Sequence, residues 1–184
     1  MVFDANFVIY FHSFDLWEEL EEFLDQCGFR LTTTQSVYRG ELSDGLRNGP
    51  LENLHDASKL SVVDNPRRRN DLSKQERKLF SRINRKGHKR PTSKVDQDLA
   101  WVAKNEDVPL LTCENQLTDL GQDLGIIVYD LIDGVDALRA ANTIDKTTRR
   151  ECFSEWPLDP HLTTQDLLNE SQRRGAFDCD EADG

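Results

Sequence analysis

Four acidic residues, Asp4, Glu41, Asp96 and Glu114, fall where a parallel α/β sheet would present them along one edge. Asp4 follows the strand-like Met1-Val2-Phe3. Glu41 lies in the helix predicted after a strand over 29–33, Asp96 begins a strongly amphipathic helix, and Glu114 comes just past a strand predicted over 108–112. In open α/β sheets, ligands bind beyond the carboxyl ends of the strands, where successive loops converge. Carboxylates gathered there repel one another and are tolerated mainly with a cation between them. Oxygen ligands without a Cys/His cluster favour Mg²⁺ or Mn²⁺, as one ion or two, over zinc. The chemistry that suits such a set is metal-dependent attack on a phosphate ester.

Each acid also has an ordinary reading. Asp4, with Ala5-Asn6 behind it, could cap the next helix; Glu41 could be an exposed helix residue and Glu114 a first-turn acid. An acid in the first turn gains under about 1 kcal/mol from the helix dipole. That gain explains Asp98 better than Asp96. Leu99, Ala100 and Ala103 lie three, four and seven residues beyond Asp96 and share its face, which must pack on the sheet. Asp98 sits about 200° round the helix, toward solvent. Individually weak, the four acids gain weight from their shared edge.

The elements that would position them alternate between strand and helix, the pattern of a parallel sheet covered by helices. A short helix is predicted over 7–12. Leu16, Trp17, Leu20, Phe23 and Leu24 recur at helical spacing up to Gly28, a C-cap. A helix over 35–46 follows, then a helical turn or two over 51–57 and a short strand over 60–63. Ser73 and Glu76 form a capping box that opens a helix to about Arg85. Helices over 94–105, 116–124 and 131–141 flank strands over 108–112 and 125–129. Beyond 142 the pattern loosens, with helices over 146–156 and 163–174 and an acidic, disordered end over 178–184. The organisation predicted is one α/β unit over 1–142 and a C-terminal extension over 143–184.

The 184 residues carry 34 acids against 23 basic residues, a formal −11, which alone argues against a nucleic-acid partner. The distribution reverses that impression. Twelve Lys/Arg against two acids lie between Arg67 and Lys94, and a basic stripe on an acidic body can bind polyphosphate locally. Lys74, Lys78, Arg82 and Arg85 recur at helical spacing, followed by Lys89 and Arg90 in a Gly/Pro-containing loop. Without interleaved aromatics, base stacking is not implied, and contact with an RNA backbone fits better. Cys27, Cys113, Cys152 and Cys179 have neither metal nor disulfide-framework spacing, the usage of a cytoplasmic protein with reduced thiols. The four histidines make no metal-spaced pair. The N-terminus lacks the basic region of a signal peptide. No apolar run nears the roughly 18 residues that would span a bilayer, so no membrane partner is expected.

The segment from Val2 to Tyr10 resembles the opening D-x-N/S motif of PIN-domain nucleases, including VapC-type toxins. The run from Thr34 to Leu42 is similar to their E-L motif, Asp96 to Ala103 matches D-x-x-[IL]-A-x-x-A, and Leu110 to Glu114 resembles L-x-T-x-D/N. Order and spacing agree over 1–142. The resemblance implies a three-layer α/β/α, Rossmann-like fold with a mostly parallel central sheet. It implies Asp4, Glu41 and Asp96 as the principal carboxylates for Mg²⁺ or Mn²⁺, with Asn6 and Thr112 as supporting hydrogen-bonders and Asp98 as an outlying candidate. The family carries Asp or Asn where this chain has Glu114, which leaves open whether Glu114 binds metal, acts through water or does neither. The implied activity is endoribonuclease hydrolysis, leaving 5′-phosphate and 3′-hydroxyl ends, with RNA as substrate, an antitoxin as partner and a homodimer as a common state. A housekeeping RNA-processing nuclease, a decayed RNA-binding module and a flap-type DNA nuclease are the alternatives.

Overall fold

The computed structural model describes residues 1–64, 66, 93–156, 159 and 161–175. The helix expected over 73–85, all six basic candidates from Lys74 to Arg90 and the acidic end over 178–184 lie outside the described residues.

β1 (Val2–Phe3) is wholly apolar and wholly buried, as a central parallel strand must be. It leads directly into α1 (Ala5–Ser13) and then α2 (Trp17–Cys27). Gly28 ends α2 with φ of +65°, and the Phe29 amide closes back on the Leu24 carbonyl at 3.0 Å. This is the glycine C-cap that the spacing predicts. β2 (Leu31–Thr34) follows, then α3 (Gln35–Gly40), α4 (Asp44–Arg47), α5 (Pro50–Asp56) and β3 (Leu60–Val63). α6 (Lys94–Glu106) leads to β4 (Leu110–Leu111), α7 (Asn115–Asp123), β5 (Val128–Tyr129) and α8 (Leu131–Ala140). The chain continues through α9 (Lys146–Ser154) and α10 (Thr164–Arg174).

Among the described residues all five strands are parallel, in the order β3-β2-β1-β4-β5. The winding direction reverses between β1 and β4. Right-handed crossovers on either side of such a reversal send their helices to opposite faces, an arrangement compatible with three layers. α2 packs on α8, and α6 packs on α7 and against β1, β2 and β4. At the crossing of α1 and α8, the Phe7 and Phe11 rings stack 4.7 Å apart. A Cβ at Gly134 would come within 2.8 Å of Phe7 and 2.9 Å of Phe11, so only glycine permits this approach.

Two expectations change. The strands expected over 108–112 and 125–129 pair over only two residues each. Pro109 has no amide to donate, though its carbonyl accepts from Val2 at 2.8 Å, and Gly125 is spent on a turn with φ of +72°. The single helix expected over 35–46 is two helices, and Glu41 is the C-cap of α3 rather than an interior residue. Ser43 causes the break by capping α4, accepting the Leu46 amide at 3.3 Å.

The described part of the extension is not an appendage on a thread. α9 and α10 pack on α8 and on each other, and Cys152, Phe153, Leu167 and Leu168 belong to the same core cluster as the sheet. Among the described residues no helix is long and apolar enough to cross a membrane.

Candidate active site

The carboxyl ends of β1 and β4 lie where the winding reverses, the place where open α/β sheets bind ligands. Asp4 leaves β1 there, its amide still in the ladder with the Leu111 carbonyl at 3.0 Å. It is 4% exposed. Its Oδ1 accepts the Phe7 amide at 2.9 Å and its Oδ2 accepts the Thr112 hydroxyl. Asp4 therefore caps α1, as its ordinary reading requires, at the carboxyl end of β1.

Thr112 leaves β4 fully buried. While its hydroxyl donates to Asp4, its Oγ1 accepts the Glu114 amide at 3.0 Å. Asn6 Nδ2 donates to Glu114 Oε1 at 2.8 Å. These bonds run from Asp4 through Thr112 and Glu114 to Asn6 and tie the ends of β1 and β4 together. Thr112 and Asn6, the two residues expected to support the site, thus bond to Asp4 and Glu114.

Asp96 is the third residue of α6 and forms a capping box with Ser93: its Oδ2 accepts the Ser93 amide at 2.9 Å and its amide donates to Ser93 Oγ at 3.0 Å. Leu99, Ala100 and Ala103 are buried beneath it, as its helix face predicts. Asp98 departs from expectation. It is half-buried like Asp96, because the first turn of α6 is half-buried all round from Val95 to Asp98, so periodicity does not separate the two acids there.

Electrostatics joins the four acids. Burial raises the pKa of Asp4, against the pull of Thr112 and the Phe7 amide, and Asp96 raises it further. Glu41 and Glu114 are exposed at the rim but crowded by protein. Partial loss of solvent raises Glu41, followed by the charges of Asp96 and Asp4; Glu114 is raised by the same loss and then by Asp96, Asp4 and Glu41, with Asn6 opposing. The structure thus brings Asp4, Glu41, Asp96 and Glu114 within reach of one another's fields. Among the described residues none of the four has an ion-pair partner.

Neighbouring acids differ. Asp130 leaves β5 at the same edge and caps α8, and Arg174 of α10 reaches it at 2.7 Å and Asp133 at 3.3 Å. Asp130 and Tyr10 were not among the residues picked out by spacing. Burial raises the Tyr10 hydroxyl, as do Cys113, Asp4 and Glu114, which places the ring beside the site. Burial also drives the Cys113 thiol far upward, with Asp4 and Asp130 adding to it, so this cysteine stays protonated. The signal for Asp130 was in plain view: it follows Val128-Tyr129 as Asp4 follows Val2-Phe3.

The donor set is all oxygen, which suits a hard divalent cation. Among the described residues no three His, Cys, Asp or Glu side chains are gathered closely enough to hold one as they stand. Oxygens of Asp4, Asp96 and Glu114 are engaged instead by Thr112, Ser93 and Asn6. A carboxylate oxygen has further acceptor capacity beyond one such bond, so the donor chemistry fits such an ion. Comparison of the chain with protein-family models, curated proteins and solved structures gave no match.

The raised carboxyls set a pH dependence. A pKa raised in the folded state contributes stability that is present below the unfolded value and is lost as pH rises through the folded one. Ordinary values are 3.8 for Asp4 and 4.5 for Glu41 and Glu114. The metal-free protein is therefore expected to lose stability as pH rises above these ordinary values and through the raised ones, and Asp4→Asn to lose less. Asp166 and Glu170 are shifted down, so what they contribute is lost as pH falls through their lowered values. Melting in chelator across this range checks the difference; parallel curves for wild type and Asp4→Asn would mean Asp4 is not perturbed.

Proposed function

We propose that this chain is a Mg²⁺- or Mn²⁺-dependent endoribonuclease of the PIN-domain kind, acting on RNA as the toxin of a toxin–antitoxin pair. The observation that carries the reading is the contrast along one sheet edge: Asp130 and Asp133 have Arg174, whereas Asp4, Glu41, Asp96 and Glu114 have one another and no cation among the described residues. A divalent ion bound there supplies Lewis-acid polarisation of the phosphate and eases deprotonation of the attacking water. Asp4, Glu41 and Asp96 would hold it. Thr112 keeps Asp4 oriented by donating to it, and Glu114, held by Asn6, would take the proton of the attacking water. Water attacks phosphorus and the 3′ oxygen leaves, giving 5′-phosphate and 3′-hydroxyl ends.

One observation favours a second reading, an RNA-binding module with a decayed site. Glu114 departs from the resembled motif, and its carboxylate is turned to Asn6. Incubating the protein with end-labelled RNA and DNA of one sequence, with Mn²⁺ or with chelator, separates the cases. Cleavage of RNA alone, abolished by chelator, supports the nuclease. Binding without cleavage supports the module, and cleavage of DNA alone points to a flap-type nuclease. Growth arrest on induction distinguishes a toxin from a housekeeping RNA-processing enzyme.

The basic run supplies binding rather than chemistry in this reading. Replacing Lys78, Arg82, Arg85 and Lys89 with Gln is expected to raise KM for RNA and to flatten the log–log salt dependence by about two to three units. The single-turnover rate at saturating RNA should hold. A wild-type salt slope in the quadruple variant would mean that RNA enters elsewhere.

A further inference from the structure

The turn that presents Glu41 is built unlike the others around the site. A helix end leaves its last carbonyls without helical partners. At the end of α3 the amides of Glu41 and Leu42 both return to the Val37 carbonyl, at 3.0 and 3.2 Å. The carbonyls of Tyr38 and Arg39 receive the Arg47 guanidinium instead, its Nη1 lying at 3.3 and 2.7 Å. Arg47 Nη2 pairs with Asp44 on the same short helix. The side chain is 22% exposed, and its bond to the Tyr38 carbonyl is partly buried. Arg47 thus reaches back from α4 over the C-terminus of α3, spanning the three-residue break that contains Glu41.

We propose that Arg47 is a positioning residue for Glu41: by supplying donors to the Tyr38 and Arg39 carbonyls, it replaces the helical bonds that the break removes and fixes the direction in which Glu41 leaves α3 toward Asp4 and Asp96. Its consequence for cleavage rests on the nuclease reading; its consequence for the turn does not. A guanidinium suits the place because one nitrogen can serve two carbonyls while the other holds Asp44.

Arg47→Met keeps the apolar stem and removes the donors, and Arg47→Lys restores one donor group. Amide hydrogen exchange at Glu41 and Leu42 is expected to accelerate roughly tenfold in Arg47→Met and less in Arg47→Lys. With RNA as substrate, kcat should fall about tenfold to a hundredfold, because small misplacements of a catalytic group are costly. KM for RNA should hold and the Mn²⁺ concentration for half activation should rise. The Mn²⁺-induced rise in melting temperature should shrink in Arg47→Met, and Arg47→Met should shrink it no further in a Glu41→Gln background. Unchanged exchange at Glu41 and Leu42 overturns the proposal. So does an equal loss of the Mn²⁺ response in both backgrounds, which would mark a general weakening of the fold. If Arg47→Met does not fold, Arg47→Lys carries the same comparisons. A wild-type protein that neither cleaves RNA nor responds to Mn²⁺ defeats the nuclease reading, and the exchange rates still decide the role of Arg47.

Discussion

Asp4→Asn, Glu41→Gln and Asp96→Asn are each expected to lower RNA cleavage by at least about 10²–10³, the scale of losing an electrostatic stabiliser in a site built around charge. Each substitution keeps the shape and removes one negative charge. In the metal-free protein that removal relieves repulsion, so melting temperature should hold or rise. For Asp4 the outcome is sharpest, because its carboxylate is buried and raised in pKa. The Asn oxygen can keep the Phe7 amide, and the Thr112 hydroxyl can turn to accept from the new amide nitrogen. Saturating Mn²⁺, at a hundred times its Kd, would stabilise the wild type by about 2.7 kcal/mol, or roughly 5–10 °C for a chain of this size. The three variants should gain much less. Variants that gain as much as wild type and still cut RNA would show that these acids are not the ion's ligands. Glu114→Ala should cost less than any of the three, since its carboxylate is shared with Asn6 at the exposed rim.

Much of this site was legible because its parts are local. Asp4 and Thr112 each follow a strand within one residue, and Asp96 is marked by the apolar face beneath it, so a linear reading places them at the same edge. Glu41 was expected inside a helix and is instead the residue that ends one. Val37, Leu42 and Leu46 continue a helical apolar pattern across the break, and all three are buried, so periodicity alone runs one helix through the turn. What interrupts it is Ser43 as a cap and Arg47 as a donor to carbonyls eight and nine residues back, and neither alters the apolar period. The pairing of Arg174 with Asp130 was illegible for another reason: 44 residues separate them, and only the packing of α10 on α8 brings them together. The same packing turns the loosely patterned segment past 142 into part of the core.

That packing predicts the largest loss of stability in the molecule. Arg149, Asp136 and Ser171 are 3, 5 and 6% exposed, one from each of α9, α8 and α10. Arg149 Nε donates to Asp136 Oδ1 at 2.8 Å, its Nη2 donates to Ser171 Oγ at 2.7 Å, and the Ser171 hydroxyl donates to Asp136 Oδ2 at 2.5 Å. The guanidinium also lies over the Phe153 ring, 5.1 Å from its centre. Arg149→Met fills similar space but takes the guanidinium from the buried Asp136 carboxylate, and breaking a buried pair in this way costs about 3–5 kcal/mol. The expected fall in melting temperature is about 6–20 °C. Arg174→Gln, which breaks only partly buried pairs with Asp130, Asp133 and Glu170, should cost less. The combined variant Arg149→Met, Asp136→Leu, Ser171→Ala should recover much of the loss, because no charge is then left buried without a partner. Because the triad joins the extension to α8, which starts at the carboxyl end of β5, the extension and the sheet should unfold in one transition. Two separated transitions, or an Arg149→Met protein that melts with the wild type, would mean that α9 and α10 are held by their apolar contacts and not by this buried charge pair.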